Sequence, residues 1–433
     1  MKYVCWLLAA GCSLSAVHAQ WLETTIYLPF DVRSSGILYV ADVGKAYLGD
    51  DGNQAVLVID GARNTVSGRV QLPLQSGPGA FCYNPVNQKL YCIEGSARGV
   101  VAVVDVNRDS VVAVVESTSA ARSLCWNPVH NKVYCLERGG DSGHVLVIDG
   151  ASDTVEGRIE LPTCAYALCY NSTNDKLYCA HDWDSTVTVI DCGTNQVLRT
   201  VGAVTHPEVF AYNPHQNRVY VSTYCCNALA ILDGSSDVRL ARMSLIDPWC
   251  MLFDTLHDEL FVSSGSSTVL TVIGGSSNQI EHQTEVGSRA GRMCLDERAG
   301  RLYCTQYYDD SLAIIDCSTH TVARRFHVGG GPGAMAWNPG FSRTYVVCND
   351  SHCIRVFRDS AAAVNEDLKQ QTSNRKPAAT ILSGASGIKR LASGVIFDAM
   401  GRRVLNPKSG VYFVREAQAQ AQAQAIRKVV ITR

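Results

Sequence analysis

Cysteine is the most chemically versatile residue type in this chain, which has 18 cysteines among 433 residues. A thiol pair of fixed spacing can form a disulfide, supply part of a metal site, or pack as two small apolar side chains. Related segments that lack one member of such a pair here also lack the other, which favours disulfides. Four pairs share a spacing of ten residues: Cys82 and Cys92, Cys125 and Cys135, Cys169 and Cys179, and Cys294 and Cys304.

The residues between the members of each pair indicate how the thiols would meet. A polar turn follows Cys82, and an apolar segment leads to Cys92. If that turn is centred near Val86 and Asn87, residues 82 and 92 lie opposite each other on adjacent antiparallel strands, with Cα atoms about 4.5–5.5 Å apart. The sequence therefore predicts four cross-strand disulfides. The alternative is that cysteine replaces Val or Ala in the core, and metal is disfavoured because each pair lies in a different part of the chain.

A second group of candidates consists of aromatic residues beside carboxylates in short polar segments between predicted strands. Exposed aromatic rings next to charged groups can bind a sugar, a peptide or a cationic ligand. The same residues are also typical of solvated loops that pack on the edge of a sheet. The candidate ligand-binding residues are Asp182, Trp183, Asp184, His206, Trp249, Tyr307, Tyr308, Asp309 and Asp310.

Motifs for catalysis are missing from the sequence. It contains no Ser-His-Asp arrangement, no metal-ligand spacing, no phosphate-binding loop and no Cys-x-x-Cys-His haem attachment motif. We therefore predict no catalytic residue, no metal and no cofactor. The formal net charge of −2 argues against a nucleic-acid partner.

The elements that must position these residues recur about every 42 residues. The clearest landmark is an aromatic residue near the end of a short apolar strand, and successive copies lie 41 to 44 residues apart. An earlier copy is assigned to Tyr39, with an insertion. The other copies are Tyr91, Tyr134, Tyr178, Tyr220, Phe261, Tyr303 and Tyr345.

Each repeat contains four short strands joined by polar turns. In the copy that contains Cys82, strands are predicted at residues 80–83, 89–93, 100–105 and 110–115. The third strand is apolar on both faces, so it must be covered on both sides. Four antiparallel strands in a unit of about 40 residues are typical of a β-propeller blade, whose sheet is sandwiched between its neighbours. The predicted fold class is all-β.

The number of blades follows from the strand count. Six complete quartets are flanked by a first unit with a reduced innermost strand and a last unit that stops after its third strand. The N-terminal residues 23–29 resemble the outer strand at residues 157–162, so they could complete the last blade and close the ring. We predict eight blades, and the alternative is seven blades with spare strands.

These repeats resemble the YVTN family of β-propeller repeats. The tyrosine-ended strand of that family appears at residues 89–92, its Val-x-Val-Ile-Asp strand at residues 187–191, and its Asn-Thr-Val opening at residues 64–66. The resemblance extends over residues 21–358 and implies a propeller. It implies little about function, because propellers of this kind serve as binding scaffolds and occasionally as enzymes.

Residues 1–19 are predicted to be a signal peptide, with Lys2 followed by an apolar stretch from Val4 to Leu14. The alternative is a lipoprotein signal that acylates Cys12. The apolar stretch is too short for a membrane anchor. Export would support the disulfide interpretation, because disulfides persist in oxidising compartments. The predicted organisation is a signal peptide, a propeller at 20–358, a linker at 359–378 and a C-terminal domain at 379–433.

The C-terminal domain closely resembles the sorting domain of type IX secretion substrates, and we expect a small β-sandwich-like fold. The resemblance implies recognition by an outer-membrane secretion machinery, and thus a location outside a bacterial cell or on its surface. An Ala-Gln run at residues 417–425 departs from the family pattern, in which a tight hairpin is expected. The motif residues are Asp398, Gly401, Arg402, Gly410, Tyr412 and Lys428.

The function predicted from these features is a secreted or surface-attached propeller that acts as a binding or interaction module. Its ligand would be a protein, a peptide or a glycan. The alternative is a propeller enzyme of lactonase or quinoprotein type, with a metal or cofactor at the mouth of the central channel. Carboxylates and histidines that converge at that mouth would favour the alternative.

Overall fold

The computed structural model describes residues 20–29, 32–34, 36–73, 77–94, 99–139, 142–223 and 226–359. It also describes the backbone of four further segments, 380–383, 394–397, 410–416 and 426–432. The predicted signal peptide, the linker after Asp359 and the motif residues Asp398, Gly401 and Arg402 lie outside these ranges. The chain divides into two compact units, with the boundary after Ala361.

The described part of the first unit forms an eight-bladed β-propeller, in which every blade is a four-stranded antiparallel sheet. Blade 1 consists of β2 (Ile37–Val40), β3 (Lys45–Asp50), β4 (Ala55–Asp60) and β5 (Thr65–Gln71). Blade 2 consists of β6 (Pro78–Asn84), β7 (Lys89–Glu94), β8 (Val100–Asp105) and β9 (Ser110–Glu116). Blade 3 consists of β10 (Ala120–Asn127), β11 (Lys132–Gly139), β12 (Ser142–Asp149) and β13 (Val155–Leu161). Blade 4 consists of β14 (Ala167–Asn171), β15 (Lys176–His181), β16 (Thr186–Asp191) and β17 (Gln196–Gly202).

The second half of the ring repeats this arrangement, except that blade 8 takes one strand from the N-terminus. Blade 5 consists of β18 (Val209–Asn213), β19 (Arg218–Thr223), β20 (Ala228–Asp233) and β21 (Arg239–Ser244). Blade 6 consists of β22 (Pro248–Asp254), β23 (Glu259–Ser264), β24 (Val269–Gly274) and β25 (Ile280–Glu285). Blade 7 consists of β26 (Met293–Asp296), β27 (Arg301–Gln306), β28 (Ser311–Asp316) and β29 (Thr321–His327), with a short 3-10 helix at Tyr307–Asp309. Blade 8 consists of β30 (Pro332–Asn338), β31 (Arg343–Cys348), β32 (Cys353–Asp359) and β1 (Gln20–Tyr27).

The hydrophobic core lies between neighbouring blades. In β8, five of the six residues are buried, whereas most of the outer strand β17 is exposed. The two middle strands of each blade therefore carry apolar side chains on both faces, as the sequence predicts. Eight apolar clusters join the eight blades described, and each cluster is shared by two neighbours. Because every blade has a partner on both sides, the ring is closed, and the prediction of eight blades is confirmed.

Strand β1 closes the ring, as predicted. It pairs antiparallel with β32, with Thr25 opposite Arg355 and Ile26 opposite Ile354. Ile26 is buried in the cluster that joins blade 8 to blade 1. The edge of β32 is thereby covered, so blade 8 presents no unpaired third strand to solvent.

In several blades the repeated tyrosine bonds to the next blade through its hydroxyl. Tyr91 donates a hydrogen bond of 2.7 Å to Asp153, and Tyr178 donates one of 2.7 Å to Asp237. Each acceptor follows the third strand of the next blade and has a positive φ, 59° for both Asp153 and Asp237. Asp and Asn tolerate this left-handed conformation better than most residues, which explains the recurring Asp or Asn at that turn.

The same contact corrects the assignment of the first repeat. Tyr47 on β3 donates a hydrogen bond of 2.9 Å to Asp109 and is fully buried, whereas Tyr39 lies on the innermost strand β2. Tyr47, and not Tyr39, is therefore the first copy of the landmark. The prediction was wrong because residues 37–40 also form a short apolar strand that contains a tyrosine.

The four predicted cross-strand disulfides are also wrong. The turn between β6 and β7 is centred between Val86 and Asn87, whereas pairing of 82 with 92 needs a centre at Asn87 itself. Cys82 is therefore opposite Tyr91, and Cys92 is opposite Phe81. A shift of one residue places the side chain on the other face of a sheet. The two thiols of each pair therefore point to opposite faces, and the cysteines are free. The same shift separates Cys125 from Cys135, Cys169 from Cys179, and Cys294 from Cys304.

These eight cysteines pack as small core residues, which was the alternative. Cys92 lies in the cluster between blades 1 and 2, whereas Cys82 packs against the cluster between blades 2 and 3. Burial raises the pKa of the Cys82 thiol to about 12 and that of Cys92 well above its ordinary value. Both thiols are therefore protonated at neutral pH and are poor nucleophiles.

The second unit contains one four-stranded sheet among its described residues. Its strands are β33 (Thr380–Ser383), β34 (Gly394–Phe397), β35 (Gly410–Glu416) and β36 (Ile426–Thr432), in the order β33-β36-β35-β34. β35 and β36 are antiparallel, with Tyr412 opposite Val429 and Phe413 opposite Lys428, while β33 is parallel to β36. The second layer that a sandwich would need is not among the strands described. The Ala-Gln run lies outside the described residues.

Candidate binding face

One end of the propeller collects the loops that contain the predicted ligand-binding residues. The strands of each blade alternate in direction, so the loop between the second and third strands opens at the same end as the connection to the next blade. We call this end the loop face. It contains the loops after β15 and β27 and the connections before β18, β22 and β26.

The loop face contains a pocket of about 320 Å³ formed by blades 6, 7 and 8, which we call the aromatic pocket. Three aromatic side chains on it are strongly exposed: Trp249 is 42%, Tyr307 is 49% and Tyr308 is 68% exposed. Its lining residues are Asp247, Trp249, Gly265, Arg289, Ala290, Gly291, Arg292, Thr305, Tyr307, Tyr308, Pro332 and Gly333. The pocket therefore combines large apolar surfaces with a few polar groups, which is the usual character of a ligand site.

Each aromatic ring is positioned by a different element. Trp249 lies on the innermost strand β22, where the register shifts between Pro248 and Cys250. Tyr307 and Tyr308 form the 3-10 helix that follows β27, and their rings meet edge to face with centroids 5.5 Å apart. The Arg289 guanidinium lies over the Tyr308 ring, 4.8 Å from its centroid. This contact is a cation–π interaction, and it holds both side chains at the pocket.

The floor of the pocket depends on a close approach between backbone segments. Gly291 donates a hydrogen bond of 2.8 Å to the Thr305 carbonyl, and the Arg292 amide donates one of 3.0 Å to Thr305 Oγ1. A Cβ atom on Gly291 would lie 2.9 Å from Thr305 Oγ1. Glycine is therefore needed here for steric reasons, and this contact fixes the segment that carries both arginines.

Four of the predicted residues form a second group on blades 4 and 5, the Trp183 cluster, which consists of Asp182, Trp183, Asp184 and His206. Trp183 is 69% exposed, and its ring meets that of His206 edge to face at 6.3 Å. Asp184 accepts hydrogen bonds from the Thr163 hydroxyl at 2.9 Å and from the Thr186 amide at 3.1 Å. Asp184 thus stabilises its own loop.

The carboxylates around Asp182 interact with one another. Asp182 lies 3.8 Å from the Arg138 guanidinium, while burial and then the Asp182 charge raise the pKa of Glu208 above its ordinary value. The Trp183 cluster is therefore acidic, and it fits the cation-binding interpretation of the sequence better than the aromatic pocket does.

Asp309 and Asp310 lie beside the aromatic pocket without lining it. Asp309 ends the 3-10 helix and is exposed, and Asp310 has a φ of 49° and accepts a hydrogen bond of 3.2 Å from the Gly331 amide. Asp310 therefore holds the connection between blades 7 and 8. The structure separates the predicted residues into two groups rather than one continuous surface.

Sequence reasoning missed Arg289 and Arg292, the two cationic side chains of the aromatic pocket. Both lie in the connection between β25 and β26, which is one of the segments that the repeat assigns to this face. The signal was available as an Arg-x-x-Arg sequence in an inter-blade connection. The sequence prediction for this face relied on aromatic residues beside carboxylates and so did not include the arginines.

A buried histidine supports the Trp183 cluster from beneath. The His181 side chain is fully buried, with Nε2 2.7 Å from Thr188 Oγ1 and Nδ1 3.0 Å from Thr163 Oγ1. Burial lowers the pKa of His181 below its ordinary value of 6.5, and it outweighs the opposing effects of Asp184 and two backbone carbonyls. His181 is therefore neutral in the folded protein at neutral pH.

Mild acid should destabilise the protein through His181. Its pKa is lower in the folded than in the unfolded chain, so its stabilising contribution is complete above pH 6.5 and is lost as the pH falls through the folded-state pKa. The slope is at most about 1.4 kcal/mol per pH unit. Urea unfolding at several pH values between 7.5 and 5 should show a smaller slope in His181→Gln than in the wild type. Equal slopes in the two proteins would contradict this role.

Metal-binding clusters and membrane-spanning helices were both sought among the described residues. Across them, no three His, Cys, Asp or Glu side chains are grouped so that they could hold a metal ion. In the same part of the chain, no helix is long and apolar enough to span a bilayer.

Comparison with known proteins identifies the fold. No protein-family model matches the chain, and no curated protein matches it. The crystal structure of Sqt1 from Saccharomyces cerevisiae matches 77% of this chain and 98% of its own, with a TM-score of 0.65 and 11% identity. A chain in the crystal structure of the Mitotic Checkpoint Complex matches 83% of this chain and 98% of its own, with a TM-score of 0.53 and 11% identity. At this level of identity, the likeness establishes a shared propeller architecture.

Proposed function

We propose that this protein is an exported β-propeller that binds a segment of a partner protein in the aromatic pocket. The observation that carries the proposal is the exposure of Trp249, Tyr307 and Tyr308 around one concave pocket. Large aromatic residues are costly to expose, and they are enriched where proteins bind partners. A propeller of similar architecture belongs to the Mitotic Checkpoint Complex, a multiprotein assembly.

The structure offers a direct way to fill the pocket. Gly333 lines it, and a Cβ atom on Gly333 would have no neighbour within 4 Å, so a larger side chain fits without a clash. Gly157 on the outer strand β13 has an equally open environment far along the chain from the pocket. Gly333→Leu therefore blocks the pocket, and Gly157→Leu is its matched control.

Selection from a displayed random-peptide library on the immobilised propeller tests the binding function. Peptides enriched on the wild type should bind Gly333→Leu at least about tenfold more weakly, because their side chains lose the cavity, and should bind Gly157→Leu normally. Failure to enrich any peptide, or equal binding to both variants, would contradict the proposal.

The export route rests on the two ends of the chain. Residues 1–19 have the charge and apolar pattern of a signal peptide, and residues 379–433 resemble type IX sorting domains, just as the repeats resemble the YVTN family. The described strands β35 and β36 supply an antiparallel pair that contains Gly410, Tyr412 and Lys428. In this proposal the secretion machinery recognises the second unit and exports the propeller that is attached to it.

Removing residues 379–433 should leave a folded propeller that stays in the periplasm, because the second unit is compact by itself and supplies no blade. The measurement is cell fractionation together with a thermal unfolding curve. As a control, residues 379–433 fused to an unrelated exported protein should carry it to the surface in a host with the machinery. Normal surface amounts of the truncated protein would exclude the sorting role.

A further inference from the structure

The charge of the aromatic pocket specifies its ligand further, provided that the pocket binds a peptide as proposed above. Arg289 and Arg292 are both exposed, and among the described residues neither forms an ion pair with a carboxylate. Asp247 is the one carboxylate among the twelve described lining residues, so the lining has a formal charge of +1. Lys176, by contrast, is already paired with Asp237 at 2.9 Å.

The contact between Arg289 and Tyr308 holds the guanidinium at the pocket, where an anion can reach it. The guanidinium carbon lies 4.8 Å from the ring centroid, and a guanidinium carries its N–H groups in a planar fork. Such a fork matches the two oxygens of a carboxylate. The neighbouring Trp249 and Tyr307 offer apolar surface for the residue next to that carboxylate.

We infer that the aromatic pocket binds an acidic peptide segment, in which an aromatic or apolar side chain is flanked by glutamate or aspartate. The rings hold the apolar side chain, and Arg289 and Arg292 bind the flanking carboxylates. Binding should weaken with rising salt, because the arginines are exposed and their attraction is screened.

Three labelled heptapeptides test this inference. Each has a central tyrosine, flanked by two glutamates in the first, two glutamines in the second and two lysines in the third. By fluorescence anisotropy, the glutamate peptide should bind at least about tenfold more tightly than the glutamine peptide. The Arg289→Gln/Arg292→Gln variant should remove that preference, and Arg242→Gln, at an exposed arginine on β21, should retain it.

The possible outcomes distinguish failure of the acidic-ligand inference from failure of the proposed peptide binding in the aromatic pocket. Tighter binding of the lysine peptide, or an unchanged glutamate preference in the double variant, would overturn the acidic ligand while the pocket stays a binding site. Binding that Gly333→Leu leaves intact would overturn the pocket itself.

A second inference concerns Cys348 and Cys353. It depends on a different observation, the strand register of blade 8. The register places them directly opposite each other on β31 and β32. Directly paired residues of an antiparallel pair point to the same face, with Cα atoms about 4.5–5.5 Å apart, so their thiols can bond. Both are buried in the cluster between blades 7 and 8. This geometry is what the four excluded pairs lack.

The surroundings of this pair favour thiol chemistry. A hydrogen bond from the Cys348 thiol lowers the pKa of Cys353, and the Arg355 guanidinium acts in the same direction. The turn between the two cysteines borders a pocket of about 460 Å³ lined by Arg33, Asn349, Asp350 and His352. The pocket reaches the turn but not the thiols, since Cys348 is 0% and Cys353 is 1% exposed, so oxidation requires local opening of the hairpin.

The geometry points to Cys348 and Cys353 as a redox-active pair that forms a disulfide across the closing blade. The Cys353 thiolate attacks the disulfide of an oxidant such as glutathione disulfide, which forms a mixed disulfide and releases one glutathione. Cys348 then loses its proton, attacks the Cys353 sulfur and expels the second glutathione. Two thiols are oxidised, one glutathione disulfide is reduced, and β32, the partner of β1, is tied to β31.

Equilibration of the full-length protein with glutathione disulfide, followed by alkylation and peptide mapping, tests this pair. We expect one bridged peptide that contains Cys348 and Cys353, and a rise of about 2–4 °C in Tm that reduction reverses. Cys348→Ser/Cys353→Ser should lose the rise, and the control Cys82→Ser/Cys92→Ser should keep it. Alkylation of both Cys348 and Cys353 after oxidation, or a bridge between Cys82 and Cys92, would overturn the inference.

Discussion

Deletion of β1, residues 20–27, should lower the free energy of unfolding by roughly 5 kcal/mol or more. The deletion exposes the edge of β32, removes Ile26 from the core between blades 8 and 1, and takes away Glu23. Glu23 is the bidentate partner of Arg343, at 2.5 and 2.6 Å, and the Arg343 side chain is only 7% exposed. A buried arginine without its carboxylate is strongly destabilising.

Arg343 makes this effect specific to ring closure. Besides Glu23 of β1, its Nη1 donates hydrogen bonds of 2.8 Å to the Gly61 carbonyl and 3.1 Å to the Ala62 carbonyl in blade 1. The Arg343 side chain on β31 thus joins the closing strand β1 to blade 1. Arg343→Met alone should cost about 3–5 kcal/mol.

A surface arginine provides the comparison. Arg63 pairs with Asp60 at 2.6 Å, but its side chain is 79% exposed, so Arg63→Met should cost less than about 1 kcal/mol. Denaturant unfolding of the β1 deletion, Arg343→Met and Arg63→Met measures all three. A β1 deletion as stable as the wild type would show that the N-terminal strand does not close the ring.

The second large effect is expected at Asp237, which joins blades 4 and 5. Its carboxylate accepts hydrogen bonds from the Tyr178 hydroxyl at 2.7 Å and from Lys176 Nζ at 2.9 Å, and Asp237 is 4% exposed. Burial and the bond to Asp237 raise the pKa of Tyr178 well above its ordinary value. Asp237→Gly leaves Lys176 without its carboxylate, and it should cost about 3–5 kcal/mol.

The chain contains a matched control at Asn278. Asn278 occupies the same turn of blade 6 with a φ of 53°, against 59° at Asp237, but its side-chain oxygen accepts no hydrogen bond in the described part of the chain. Asn278→Gly therefore has the same backbone effect of introducing glycine, about 1 kcal/mol, but it removes no hydrogen bond to the side-chain oxygen. Unfolding free energies of the two variants should differ by at least about 2 kcal/mol. A difference near zero would show that the carboxylate adds nothing to the blade interface.

Much of the fold could be predicted from the sequence because it depends on patterns that repeat. A period of about 42 residues, middle strands that are apolar on both faces and an N-terminal copy of an outer strand were sufficient for eight blades and for ring closure. None of these three observations depends on exact register, since the burial of a strand between two sheets is the same if a turn gains or loses a residue. Tyr39 was misassigned for the same reason, because local pattern alone cannot distinguish an innermost strand from the second strand.

What only the tertiary structure decided is which side chains meet. One residue in the turn before Lys89 reverses the face of Cys92, so it separates the predicted cysteine pairs, whereas Cys348 and Cys353 lie directly opposite each other. Likewise, Trp249, Arg289 and Tyr308 come from different elements and line one pocket only when blades 6 and 7 are placed side by side. The repeat pattern predicts the strands because the burial of a strand depends on its own residues. A binding site instead depends on which distant residues come into contact, and these contacts are determined by strand register and ring closure.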